Sequence, residues 1–379
     1  MNEKKNPRNL VELLSRLQQE KVPEEQYKIH IDYFLEMQTR KKGIPWKGQF
    51  ELTPLCNLDC KMCYVHLQKG QLKNQSLLEP ELWRELMEQA VSAGMRKAVL
   101  TGGECLLYPG FEELYLYLQS KGVEVQVYTN GILLTEERVL FFKKNMPARI
   151  QVSVYGSCED AYEKVTGHRE YERVRKNIEL ARQVGLPLQV AVTPSVYMGK
   201  DARNIVRYMS ENRIPYQINN TIFAPRNDTG RGQEKIDTTP DEYIELFKLQ
   251  AQLSGAELCR RDEKMLPDVP EDSGEKKGIR CAAGMNSFHI DWKGTMTGCD
   301  MLNSVKAEPL KKGFDHSWKL IHKAALEYPA ATKCENCSYN SVCVSCPAIH
   351  QQLGEKPGHC SLMVCERTRR FAAEGLISL

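Results

Sequence analysis

An α/β fold with parallel strands is the class this sequence predicts, and three observations carry it. Short apolar or β-branched runs alternate with helix-patterned segments over residues 50–225. Two motifs made of cysteines or glycines follow directly on the first and second of those runs, as chemistry does where parallel strands end at one mouth. Cysteine density then rises sharply from Cys281 onward, which sets the C-terminal part apart.

Taken in chain order, residues 1–45 are charged and helical in pattern, with no strand signal. Six strands are expected: FELTPL (50–55), KAVLTGG (97–103), VEVQVYTN (123–130), ARIQVSVYG (148–156), LPLQVAVTPS (186–195) and YQINNTIFAP (216–225). Helices fill the intervals. In PELWRELMEQAVSAG, Pro80 suits a first turn, Leu82, Leu86 and Ala90 share a face, and Gly94 is a stop. In EYERVRKNIELARQVG, Val174, Ile178 and Ala181 share a face and Gly185 ends it. Such alternation implies βα units, curled as an open sheet or a barrel. The segment 259–280, CRRDEKMLPDVPEDSGEKKGIR, is charged and rich in Pro and Gly and reads as a mobile connection. The expected division is therefore a helical segment 1–45, a core 46–230, a helical and charged linker 231–278 and a small metal-bound domain 279–379.

Bulk properties exclude several classes. With 52 basic and 49 acidic residues there is no electrostatic footprint for nucleic acid. No run approaches about eighteen apolar residues, so no membrane span is expected. Charges are scattered through MNEKKNPRNLVELLSRLQQE where a secretory signal has an apolar run, which points to the cytoplasm. In that reducing compartment fourteen cysteines, several at C-x-x-C spacing, favour metal binding over disulfides.

PLCNLDCKMCYVH (54–66) places Cys56, Cys60 and Cys63 within eight positions, one ligand short of a closed site. Either His66 completes a structural zinc, or an iron-sulfur cluster keeps one iron open for a substrate or cofactor. Cys-x3-Cys-x2-Cys after the first strand, with Gly-Gly-Glu after the second, resembles the radical S-adenosylmethionine (SAM) superfamily over about residues 48–230. The resemblance implies a partial (β/α)6 TIM-like barrel, a 4Fe-4S cluster on those three cysteines, and SAM held at the open iron and cleaved to a 5'-deoxyadenosyl radical. It implies that Gly102, Gly103 and Glu104 receive the SAM amino group, with Thr129, Asn130 and Ser153 at strand ends lining the SAM pocket. Polar strand ends alone would also account for those last three. Met62 stands where the family has an aromatic against the adenine, and its thioether suits the same packing. Cys105 replaces a proline after GGE, and it, Cys158 and Cys259 read as ordinary small side chains. His30, His168 and His289 are read as satisfied core or surface residues.

In the tail, Cys281, Gly294 and Cys299 are followed by Cys334, Cys337, Cys343, Cys346, Cys360 and Cys365. Two zinc ribbons would use such spacings. The pattern resembles the SPASM extension of the same superfamily over about residues 279–379, which implies two auxiliary 4Fe-4S clusters and three clusters in all. By that resemblance Cys281, Cys299 and Cys346 hold the nearer cluster, and Cys334, Cys337 and Cys343 hold the farther one with Cys365. Cys360 then completes the nearer cluster or binds nothing. Two residues separate Cys343 from Cys346 where relatives often have three.

CAAGMNSFHIDWKGTMTGC resembles maturases of ribosomally made peptides, which form crosslinks or invert or oxidise residues. That implies a precursor peptide, an external electron donor such as flavodoxin or ferredoxin, and recognition by the N-terminal helices or a separate leader-binding protein. A sulfatase-maturing formylglycine synthase shares the layout, and Asp300 matches its catalytic carboxylate, although the Cys281 segment lacks an extra cysteine usual there. A non-catalytic iron-sulfur or zinc adaptor that binds a peptide is the reading from a different class.

Overall fold

The computed structural model describes residues 7–65, 67, 72, 76–226, 236–255, 278–329, 334, 337–340, 342–343 and 346–377. All six expected strands are present: β1 (Lys47–Glu51), β2 (Lys97–Thr101), β3 (Glu124–Thr129), β4 (Arg149–Val154), β5 (Leu188–Val192) and β6 (Tyr216–Ile218). They are parallel and lie side by side in chain order, as helical crossovers dictate. β1 runs earlier than FELTPL suggested. It ends at Glu51, and beyond it the Thr53 hydroxyl accepts from the Leu55 N–H at 3.1 Å, turning the chain into a loop.

The crossovers follow from helical periodicity. In α3 (Pro80–Ser92) the buried residues are Trp83, Leu86, Met87 and Ala90, an i, i+3, i+4, i+7 stripe. Leu82 lies one position off that stripe and is 38% exposed, so its expected place on the inner face is corrected. The helix α7 (Tyr171–Gln183) buries Val174, Ile178 and Ala181 as expected. Between these lie α4 (Phe111–Ser120), α5 (Glu136–Lys144) and α6 (Glu159–Thr166), and α8 (Asp201–Glu211) follows.

The tail is less separate than its composition suggested. Strand β7 (Ser287–Ile290) pairs in parallel with β1, from Lys47 opposite Ser287 to Phe50 opposite Ile290, and a short β8 (Met296–Thr297) turns back antiparallel. Phe288 packs edge-on against Phe50 at 5.8 Å and against Phe314 at 5.0 Å, so the main core continues into the tail. Four residues gave no strand signal to read.

Both N-terminal helices, α1 (Leu10–Gln19) and α2 (Tyr27–Lys42), appear where the pattern put them. α2 grips the tail: Arg40 donates to the carbonyls of Cys281 and, at 2.7 Å, Ile279, and the Asn286 amide donates to Glu36 O at 3.0 Å. In the linker, α9 (Pro240–Ser254) opens on a capping box between Thr239 and Glu242. Residues 259–277 of the expected connection, with Cys259, lie outside the described residues, as does His66. The tail adds α10 (Pro309–Lys312), α11 (Phe314–Leu326), α12 (Pro347–Gln352) and α13 (Leu362–Ala373).

Candidate active site

The loop after β1 is fixed by its backbone. Asp59 and Lys61 N–H donate to the carbonyls of Thr166 and Val165 at 2.9 and 3.0 Å, and Cys63 N–H donates to Cys60 O at 3.0 Å. Leu58 and Met62 are buried in the main core, so packing accounts for Met62 at 7% exposure. Cys56, Cys60 and Cys63 are half-buried. Burial pushes the Cys56 thiol up to about 12, helped by the Glu104 charge and Cys63. Burial, Cys63 and Cys56 push Cys60 well above the usual thiol range. Two thiols raised by burial and by their cysteine neighbours fit a site completed by iron, whose positive charge reverses that cost. The buried Tyr162 hydroxyl, on which Cys60 and Cys56 act most strongly among charged groups, has no hydrogen-bond partner in the protein. Among the described residues no trio of His, Cys, Asp and Glu closes on a single metal ion, and His66, the fourth ligand of the zinc reading, lies outside them.

The GGE turn is docked on that loop. A Cβ on Gly102 would lie 2.3 Å from Thr53 O, and one on Gly103 would lie 2.4 Å from Leu55 O. Only glycine permits the approach, which brings Gly103 N–H to Thr53 O at 2.7 Å and Glu104 N–H to Leu55 O at 2.8 Å. Glu104 is fully buried. Its Oε1 accepts from Leu106 N–H at 3.1 Å, its Oε2 from Asn130 N–H at 2.7 Å, and the Thr129 hydroxyl lies 2.9 Å from both. Burial raises its pKa, and those donors pull it part of the way back. These donors, with the Cys105 thiol 4.0 Å from Oε1, take up most of the carboxylate's acceptor capacity. Asn130 closes the network, donating to Asn57 Oδ1 at 2.7 Å with Cys56 Sγ 3.6 Å away. Ser153, at the end of β4, hydrogen-bonds Tyr155, whose hydroxyl is acted on by Cys60 and Cys63. Cys105 donates its thiol to Tyr128 O at 3.2 Å and behaves as an ordinary buried side chain.

Asp300 stands where loop and tail meet. Its Oδ2 accepts from Tyr64 OH at 3.0 Å and Gln49 Nε2 at 3.3 Å, and the Cys299 thiol donates to Oδ1 at 3.2 Å. Burial pushes its carboxyl up, but His289, Cys299, Arg226 and Tyr64 outweigh that and hold it below the ordinary range. Beside it, buried Glu51 receives Arg226 and lies 3.3 Å from His289 Nε2, while Arg226 stacks 5.6 Å over the Tyr64 ring. Sequence reading missed Gln49, Glu51, Tyr64 and Arg226 and left His289 unassigned. The available signal was a carboxylate, Glu51, inside an otherwise apolar strand end.

In the tail, Cys281 acts electrostatically on both Cys299 and Cys346, which burial raises first. Backbone N–H groups of Ile349 and Ala348 at the start of α12 pull the Cys346 thiol part of the way back. A second hollow is lined by Cys334, Cys337, Cys343, Cys360 and Cys365. Cys360 lies in this hollow, 3.0 Å from Cys365 Sγ and beside the cysteines expected for the farther cluster. Cys365 lies in the first turn of the closing helix, as expected.

Residues 50–209 match the family described as the radical SAM superfamily. That stretch, from β1 into α8, carries a domain of that superfamily. Such a domain implies SAM and a 4Fe-4S cluster, and the three thiols after β1 lie within the matched stretch. The AdoMet-dependent heme synthase of Methanosarcina barkeri is 22% identical over 79% of this chain and 90% of its own length. The sporulation killing factor maturation protein SkfB of Bacillus subtilis is 23% identical over 68% of this chain and 61% of its own. Among solved structures, Streptococcus suis SuiB bound to its precursor peptide SuiA superposes with a TM-score of 0.67 at 15% identity, over 93% of this chain and 87% of SuiB. That likeness bears out the radical SAM barrel as the fold of this radical SAM protein.

Proposed function

We propose that this radical SAM protein modifies a ribosomally made peptide in the cytoplasm, using two auxiliary 4Fe-4S clusters held by SPASM-type cysteines in the tail. The observation that carries the reading is the Asp300 junction, where a carboxylate bridges Tyr64 of the first cysteine loop and Cys299 of the tail. When bound, the first cluster and SAM supply a carbon radical able to take hydrogen from an unactivated carbon. Around them, Cys56, Cys60 and Cys63 are the ligands, and Asn130 fixes the approach to Cys56. Glu104, Thr129 and the two glycines hold the SAM-side loops together, and Ser153 supports Tyr155 beside them. Asp300, whose ionised form His289, Arg226 and the Tyr64 hydroxyl favour, would accept the proton released when the substrate radical gives its electron to an auxiliary cluster. An external donor such as flavodoxin or ferredoxin supplies electrons, and a separate leader-binding protein or the N-terminal helices present the peptide. Support comes from SkfB, named for maturation, and from SuiB, solved with a precursor peptide.

The test is an anaerobic reaction of the reconstituted protein with SAM, reductant and the peptides encoded by small reading frames beside its gene. Run in D2O, a crosslink, an oxidation or an inversion each changes the peptide mass. SAM cleavage with every such peptide unchanged would overturn the reading, leaving a small-molecule substrate as for the heme synthase. Asp300→Asn should lower product on the order of a hundredfold while leaving SAM cleavage intact. Undiminished product would confine Asp300 to ordering the turn at Cys299. Asp300 also favours a formylglycine synthase, which the same assay detects as oxidation of a cysteine or serine in a sulfatase peptide.

A further inference from the structure

We infer that Cys360 and Cys365 are alternative ligands for one corner of the farther auxiliary cluster, an inference that rests on reading this hollow as a cubane site. Five thiols line it, Cys334, Cys337, Cys343, Cys360 and Cys365. A cubane offers four irons, and in a fully ligated one each takes a single terminal thiolate. One of the five sulfurs is therefore in excess. The distance between sulfurs says which: Cys360 Sγ and Cys365 Sγ are 3.0 Å apart. Terminal bonds leave different corners of a cubane along diverging directions, so two sulfurs in contact address the same corner.

The local chain explains the pairing. Ser361 is the N-cap of α13, with Cys360 just before it and Cys365 in the first turn, so the helix start folds both side chains to one side. Cys343 is fixed separately, accepting from the Thr368 hydroxyl one turn further along the same helix at 3.4 Å. Cys360 is also influenced by Cys334, which makes that residue the necessary comparison in any test. The consequence is a site with a reserve ligand. Loss of either thiolate leaves the iron held by the other.

Full-length protein reconstituted anaerobically should hold about twelve irons. Cys360→Ala and Cys365→Ala are each expected to match it, both in iron and in the share of clusters that mild oxidation converts to the 3Fe-4S form, read by electron paramagnetic resonance. The double variant, and Cys334→Ala and Cys343→Ala singly, should each lose about four irons or convert one further cluster per chain. Far-ultraviolet circular dichroism and the iron retained on the other two clusters show that each variant is folded. If either late cysteine alone behaves like the double variant, that residue is a dedicated ligand and the inference falls. It falls equally if the double variant matches the unaltered protein, or if Cys334→Ala keeps its cluster. Unaltered protein with iron near eight and tightly bound zinc would instead remove the reading on which the inference rests.

Discussion

The loop that carries Cys56, Cys60 and Cys63 and the segment that carries Cys334 to Cys365 both gather thiols, but by different means. In the first, peptide groups do the holding: Asp59, Lys61 and Cys63 N–H are all bonded to carbonyls, and Gly102 and Gly103 lie against Thr53 and Leu55. Leu58 and Met62 anchor that loop in the main core. In the second, Cys337, Cys343 and Cys365 N–H also bond to carbonyls, and further contacts run through the sulfurs themselves, as from Thr368 to Cys343 and between Cys360 and Cys365. Its neighbouring apolar cluster is small, made of Ile279, Ala283, Met301, Leu302, Ala325 and Ala348. A loop anchored in a large core is built before a metal arrives, whereas one beside a small core draws more of its folding energy from the metal.

The largest expected effect separates these two modes outright. Replacing Cys56, Cys60 and Cys63 together by Ala should abolish SAM cleavage while leaving about eight irons in the tail. Because the peptide bonds of the loop do not depend on the sulfurs, the melting temperature should barely move. Surviving SAM cleavage would dismiss the triad as cluster ligands. Cleavage lost together with the tail iron would show that the two sites fold as one, and the contrast would be broken.

This contrast also marks how far the sequence was legible. Six strands, α3 and α7 followed from periodicity, and the Cys-x3-Cys-x2-Cys and GGE pair located one mouth, because local spacing encodes both. The junction of Gln49, Glu51, Tyr64, Arg226, His289 and Asp300 was invisible, since its members come from β1, the cysteine loop, the segment after β6 and the tail. The β1–β7 pairing brings the tail residues His289 and Asp300 to the others, and the tetrapeptide of β7 carries too little pattern to announce it. Glu104 was read for its charge, and its structural duty appeared only with its partners.

Glu104→Gln sharpens the first half of the comparison. Each carboxylate oxygen receives a backbone N–H, Leu106 on one and Asn130 on the other. Whichever way a glutamine amide turns, its NH2 meets one of these donors and leaves it unpaired. The expected cost is about 1 to 3 kcal/mol of stability, with weakened SAM binding as its consequence. Thermal unfolding and SAM affinity measured on the same sample decide the matter. Weaker SAM binding at an unchanged melting temperature would make Glu104 a direct partner of the ammonium and not a tie between loops.

The smallest expected effect tests the tail, through a residue remote from any thiol ligand in sequence. Arg40 on α2 donates to the carbonyls of Ile279 and Cys281, so a helix from the other end of the chain holds the backbone beside the first tail cysteine. A guanidinium reaches two carbonyls with one rigid fork, which a lysine ammonium on its flexible stem does not reproduce. Arg40 is half-buried, so solvent screens part of the gain, and Arg40→Ala should cost about 1 kcal/mol. The loss should surface locally, as faster amide exchange at residues 278–284 and faster removal of tail iron by a chelator. SAM cleavage should stay unchanged, and Arg40→Lys should fall between the two. If iron leaves the tail of Arg40→Ala no faster than before, then Cys281 is positioned by the metal alone, and ligand-driven folding extends to the nearer site as well.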